Sequence, residues 1–110
     1  MEITTNLVFD TTVVAIKGKL DALTCGNLET ALSELIDSGK TKLVVDFTEL
    51  SYISSAGLRI LLKTAKQIKG INGTFVLCGM KDFIKEVFDV SGFSSIITIT
   101  DTVDSALSID

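Results

Sequence analysis

Apolar positions along this chain follow two patterns in turn: short runs rich in β-branched residues, and longer stretches where apolar residues return every third or fourth position. Glu2 to Val8 alternates loosely, with Ile3, Thr5 and Leu7 on one side, as an edge strand does. Asp10-Thr11 reads as a turn, and Thr12 to Lys17 (Val13, Val14, Ala15, Ile16) as a more buried returning strand. So tight a connection makes the pair antiparallel. Gly18 to Leu23 reads as a loop. Thr24, with Asp21 as competitor, is expected to cap a helix whose Leu28, Ala31, Leu32, Leu35 and Ile36 share a face, and Gly39 stops it. Leu43 to Phe47 suits a strand buried on both faces. Thr48 to Ile53 is too polar and too broken in pattern to extend that strand, so it reads as a loop. Leu58, Leu61, Leu62, Ala65 and Ile68 then mark one face of a second helix, which ends at Gly70.

Asn72-Gly73 signals a turn, and Thr74 to Cys78 a fourth strand. Gly79 and Met80 lead into a third helix that directs Phe83, Ile84, Val87 and Phe88 inward and ends at Gly92. Ile96 to Ile99 reads as a short fifth strand. Asp101 is expected to cap a last helix with Val103, Ala106 and Leu107 on its inner face. The order is ββαβαβαβα: an α/β fold with a mostly parallel five-stranded sheet, an antiparallel N-terminal strand and four helices. The expected core includes Val14, Ile16, Leu32, Val44, Leu61, Leu62, Val76 and Phe88. With 110 residues and no repeat, linker or low-complexity tract, residues 1–110 are expected to form one domain.

In such a sheet the loops leaving the carboxyl ends of the parallel strands gather on one edge, where ligands and partners are usually received. Those loops are Gly18 to Thr24, Thr48 to Ser55 and Gly79 to Lys81. They bring Asp21, Leu23, Ser54, Ser55 and Met80 together, with Arg59 one helical turn beyond Ser55 and able to lean back toward it. Ser54 and Ser55 sit where the pattern turns helical. A serine there caps free backbone N–H groups, and the same helix N-terminus suits a phosphate. Gly57, lacking a side chain, lets another group approach the backbone. Each residue also has a plainer role. Either serine caps the helix, Asp21 braces a turn, and Arg59 belongs to a solvated face. Asp46 anchors the following loop by accepting backbone N–H bonds. Lys63, Lys66, Lys69, Lys81 and Lys85 lie on outer helix faces and are assigned no function.

Composition narrows the chemistry. Histidine is absent, so neither serine belongs to a Ser-His-Asp triad, and histidine metal ligands do not exist. No P-loop, G-x-G-x-x-G or metal-ligand spacing occurs. The chain therefore reads as a non-enzyme with no cofactor and no metal. Cys25 and Cys78 form no C-x-x-C or zinc spacing; Cys78 ends an apolar run as a small buried hydrophobe. A net charge of −4, from 14 acidic and 10 basic residues, offers no basic face for nucleic acid. No secretory signal and no apolar run of bilayer-spanning length appear, so a soluble cytoplasmic protein with no membrane span is expected.

The run Asp46-Phe47-Thr48-Glu49-Leu50-Ser51-Tyr52-Ile53-Ser54-Ser55-Ala56-Gly57-Leu58 resembles the signature of the STAS domain family, named for sulphate transporters and anti-sigma factor antagonists. There an aspartate ending a strand is followed by a loop, a serine, and Gly-Leu opening a helix. Gly18-Lys19-Leu20-Asp21 matches a second family feature, and the resemblance extends over nearly the whole chain. It implies a bacterial anti-sigma factor antagonist, a protein-binding module in signal transduction and transcription regulation. In such proteins the unmodified form binds a partner that is both an anti-sigma factor and a serine kinase. The kinase phosphorylates a serine at this helix start, and a PP2C-type phosphatase restores it. Ser55, two residues before Gly57, matches that serine, with Ser54 the second candidate. This chain has Ser54 where an aspartate usually precedes the serine, and Ala56 where Ser or Thr usually follows. The alternative is a non-switching STAS scaffold in a larger signalling or transport-regulating assembly. A receiver-like phospho-aspartate domain needs an acidic pair after the first strand and a lysine after the last, and neither is present.

Overall fold

A computed structural model describes residues 1–109. Among them are five strands: β1 (Glu2–Val8), β2 (Thr11–Leu20), β3 (Lys42–Ile53), β4 (Thr74–Cys78) and β5 (Thr98–Thr100). The helices are α1 (Cys25–Asp37), α2 (Ser55–Gly70), α3 (Asp82–Ser91) and α4 (Val103–Leu107), with a 3-10 turn at Phe93–Ser95. The strands form one sheet in the order β1-β2-β3-β4-β5. β1 is antiparallel to β2, and the other pairs are parallel.

That order explains where the helices lie. Every parallel crossover advances one strand in the same direction, and right-handed crossovers that never reverse must share a face. Leu28 and Leu32 of α1, Leu58, Leu61 and Ile68 of α2, and Ile84 and Phe88 of α3 accordingly meet Val14, Ile16, Val45, Phe47 and Leu77 in one core. The opposite face is thinner. There Ala106, with Val103 and Leu107 of α4, packs over Val13, Val44, Val76 and Cys78. Buried inside the sheet, Cys78 has its thiol pushed up to about 12, chiefly by lost hydration and secondarily by the charge of Asp46. The anticipated core residues are all buried except Leu62, which is half-buried against the main cluster.

Several local expectations need correction. The hairpin turn is Phe9-Asp10, since Val8 pairs with Thr11. β2 runs on through Gly18 and Lys19 to Leu20, and β3 runs on through Thr48 to Ile53. The two extensions pair with each other across two register shifts, between Ala15 and Lys17 and between Gly18 and Lys19. Bulges of this kind destroy strict alternation, so a paired strand presents a loop-like pattern. In α3 only Ile84 and Phe88 are buried, while Phe83 and Val87 stay partly open on its outer flank. β5 is Thr98–Thr100, because Phe93–Ser95 coils first and Ile96 is exposed. Thr102 rather than Asp101 caps α4, through a reciprocal capping box with Ser105.

Candidate functional site

The distal part of β3 leads into the site and is built differently from the rest of the strand. Pairing with β4 ends at Asp46 opposite Cys78, so beyond it β3 is held by strand pairing on the β2 side alone. Phe47, Leu50 and Ile53 are its buried residues, a spacing of three that follows the bulges. Asp46 closes the junction: its Oδ1 accepts from the backbone N–H of Thr48 at 3.0 Å and from the Thr48 hydroxyl at 2.6 Å. This is the anchoring role expected of it. Across the bulge, the Ser51 hydroxyl donates to the carbonyl of Gly18 at 3.0 Å.

β3 ends where Ser54 N–H donates to the carbonyl of Leu20 at 2.9 Å, which ties the start of α2 to the end of β2. Gly57 permits this closeness. A Cβ there would lie 2.8 Å from Leu20 Cγ and 3.1 Å from its carbonyl oxygen, so the approaching group is the chain's own Leu20. The two serines then divide their work. Ser54 is the cap: its backbone is extended and its hydroxyl accepts from Gly57 N–H at 3.2 Å. Ser55 is the first helical residue, exposed, and its hydroxyl makes no hydrogen bond among the described residues. Arg59 leans back as anticipated, its Nε donating to the Ser55 carbonyl at 3.4 Å.

Asp21 follows Leu20 directly and so sits beside this helix start. Its Oδ1 accepts from Leu23 N–H at 2.9 Å and Thr24 N–H at 3.2 Å. It therefore braces the turn into α1. Thr24 stands at the N-cap position of α1 without capping it, because its hydroxyl accepts from Asp21 N–H and donates to the Lys19 carbonyl. The braced turn presents Leu23 to solvent, 91% exposed. Met80, half-buried against the main core, lies on the neighbouring crossover from β4 to α3. The six residues singled out from the sequence thus all belong to the carboxyl edge of the parallel strands or the first two turns of α2. Sequence reasoning missed Lys81, whose ammonium donates to the carbonyls of Thr48 at 2.7 Å and Leu50 at 3.1 Å. Helical spacing alone had put it on a solvated face. Tyr52, 48% exposed, lies on the same stretch of β3.

This edge is a surface. The strand order never reverses, so there is no switch-point crevice of the kind in which doubly wound sheets hold nucleotides. No group of metal-ligating side chains occurs among the described residues, and no helix of theirs is long and apolar enough to cross a membrane. No base is hydrogen-bonded to the Ser55 hydroxyl, as an intrinsic nucleophile requires. What the edge offers is an unengaged hydroxyl on a helix N-terminus, surrounded by exposed side chains.

Comparison with known proteins agrees with this geometry. A family model described as STAS domain matches residues 2–106. BtrV of Bordetella bronchiseptica, described as a candidate anti-sigma factor antagonist, is 35% identical over 106 residues, 96% of this chain and 91% of BtrV. The crystal structure of a candidate anti-sigma factor antagonist from Thermotoga maritima superposes with a TM-score of 0.91 at 19% identity, covering 96% of this chain and 91% of that one. The Bacillus cell fate determinant SpoIIAA in its phosphorylated form superposes with a TM-score of 0.75 at 22% identity, covering 96% of each chain. These superpositions establish the shared fold.

Proposed function

The chain belongs to the STAS domain family, and from that premise we propose that it acts as an anti-sigma factor antagonist switched at Ser55. Unmodified, it binds an anti-sigma factor through the edge carrying Asp21, Leu23, Ser54, Ser55, Arg59 and Met80. That partner is also the serine kinase, and a PP2C-type phosphatase reverses the modification. The setting is the cytoplasm, and the chain contributes binding rather than catalysis. The observation that carries the assignment is the division of labour between the serines. Ser54 spends its hydroxyl on the cap, while that of Ser55 is exposed and unengaged.

The physical consequence of modification follows. A kinase transfers the γ-phosphoryl group of ATP to Ser55 Oγ; the hydroxyl proton passes to the kinase's base and ADP departs. The new group adds about −1.5 to −2 charge units. At the N-terminus of α2 the fold tolerates it, since the helix dipole favours an anion. Within a partner interface the same charge must be desolvated. A mismatch of ~3 kcal/mol there weakens binding roughly a hundredfold.

The test uses the cognate anti-sigma factor kinase, incubated with the chain and ATP. Mass spectrometry is expected to map the phosphate to Ser55. Ser55→Ala should stay folded, bind that kinase and take no phosphate, while Ser55→Asp should stay folded and bind poorly. Phosphate on Ser54 would move the site. Equal affinity for Ser55→Ala, Ser55→Asp and the phosphorylated wild type would leave the passive scaffold.

A further inference from the structure

The distal half of β3 has a strand on one side only, yet its other edge is not left to solvent. β4 ends at Cys78, and the crossover Gly79-Met80-Lys81 turns back over β3. Gly79 has φ of +72°, and a Cβ on it would lie 2.5 Å from the Thr48 hydroxyl and 2.8 Å from Asp46 Oδ1. The crossover is thus seated directly on the junction. From there the Lys81 ammonium reaches the Thr48 carbonyl at 2.7 Å and the Leu50 carbonyl at 3.1 Å. Asp46 meanwhile takes the Thr48 N–H. Two oppositely charged side chains therefore serve backbone groups of β3 beyond its last pairing with β4. Bonds from a charged donor are the stronger kind, and two of them from one ammonium fix two successive turns of the pleat.

We propose that Lys81 is a positioning residue for the phosphoacceptor. By clamping Thr48 and Leu50 it holds the distal half of β3 in register on β2, and that register places Ser54, and hence Ser55, at the start of α2. Because Lys81 follows Met80 and stands at the N-cap position of α3, the same clamp fixes the β4–α3 crossover relative to Ser55, so both parts of the edge meet a partner in one geometry. The role deepens the switch assignment above and rests on it for its functional half, while its structural half stands by itself.

The test compares Lys81→Met and Lys81→Arg with the wild type by amide hydrogen exchange and by phosphorylation with the kinase that modifies the wild type. Ser54 N–H, which donates to Leu20, reports the register. In Lys81→Met the amides of residues 49–54 should exchange about tenfold faster, while those of Val44 and Val45 stay within about twofold. The kcat/KM for phosphorylation of Ser55 should fall about tenfold in parallel, and Lys81→Arg, which retains charged donors, should recover most of both. Unchanged exchange at Ser54 would overturn the clamp. Faster exchange with unchanged phosphorylation would show a brace that does not position the acceptor. A wild type that takes no phosphate would remove the switch, and the exchange data would still decide the clamp. A phosphorylation loss confined to KM, with exchange unchanged, would make Lys81 a direct contact of the kinase and overturn positioning.

Discussion

β3 is one strand with two characters. From Leu43 to Asp46 it lies in the middle of the sheet, paired with both β2 and β4, and Phe47 follows at the first bulge. Its side chains there enter both cores: Leu43, Val45 and Phe47 face α1, α2 and α3, and Val44 faces α4. Beyond Phe47 only β2 pairs with it, across bulges, and side chains replace the second neighbour. The proximal half is fixed by burial, which is large and insensitive to detail. The distal half keeps Leu50 and Ile53 in the core and its pairing with β2, but in place of a second strand it has a few directed hydrogen bonds, which are individually modest. A binding edge built this second way keeps its outward groups free while its backbone remains defined.

The sharpest way to break this comparison is at its boundary. Phe47 is fully buried and meets Phe88 edge-to-face, ring centroids 6.0 Å apart. Phe47→Ala should cost ~3–5 kcal/mol, read from urea unfolding. A loss below ~1 kcal/mol would mean that burial does not distinguish the halves.

Gly57→Ala addresses the far end, where α2 starts against Leu20. Leu20 is fully buried, and its backbone carbonyl as well as its side chain would meet the added methyl, so a side-chain rotation alone does not relieve the contact. Overpacking costs ~1–3 kcal/mol, and the helix preference of alanine returns up to ~1 kcal/mol. A net loss of about 1–2 kcal/mol is expected, with faster exchange at Ser54 N–H. A stabilised variant would show that the helix start shifts freely and that the register of the distal half is not set here.

The contrast also governs what the sequence discloses. Leu43 to Phe47 is legible because continuous burial leaves continuous apolar residues. Helix faces such as Leu58, Leu61 and Ile68 are legible because 3.6-residue periodicity survives in them. The candidate serines stand out where Ser54, Ser55 and Gly57 interrupt one pattern and start another, and the preference for Ser55 comes from the resemblance of Asp46 to Leu58 to the family signature. The distal strand was not legible: Phe47, Leu50 and Ile53 are spaced by three, and strand alternation is the only strand signal that periodicity carries. Lys81 was missed for a related reason. A lysine with solvent on one side and backbone carbonyls on the other has the same sequence signature as one on a fully solvated face. Phe83 was placed too deep because α3 buries a narrower stripe, Ile84 and Phe88, than its apolar content suggests.

The smallest stability effects separate the two serines, and they are the most telling for the site. Ser54 accepts from Gly57 N–H; without it one amide of the first turn loses its partner. Ser54→Ala should therefore lose ~1 kcal/mol, while Ser55 remains available for phosphorylation. The Ser55 hydroxyl has no partner to lose, so Ser55→Ala should change stability by less than ~0.5 kcal/mol. It should nevertheless abolish phosphorylation. Paired urea melts and phosphate mapping on both variants make a crossed comparison, with structure assigned to one hydroxyl and modification to its neighbour. If Ser55→Ala proved the more destabilising of the two, the cap would belong to Ser55. The hydroxyl left free for a kinase would then be that of Ser54, and the distal half of β3 would deliver its acceptor one residue earlier.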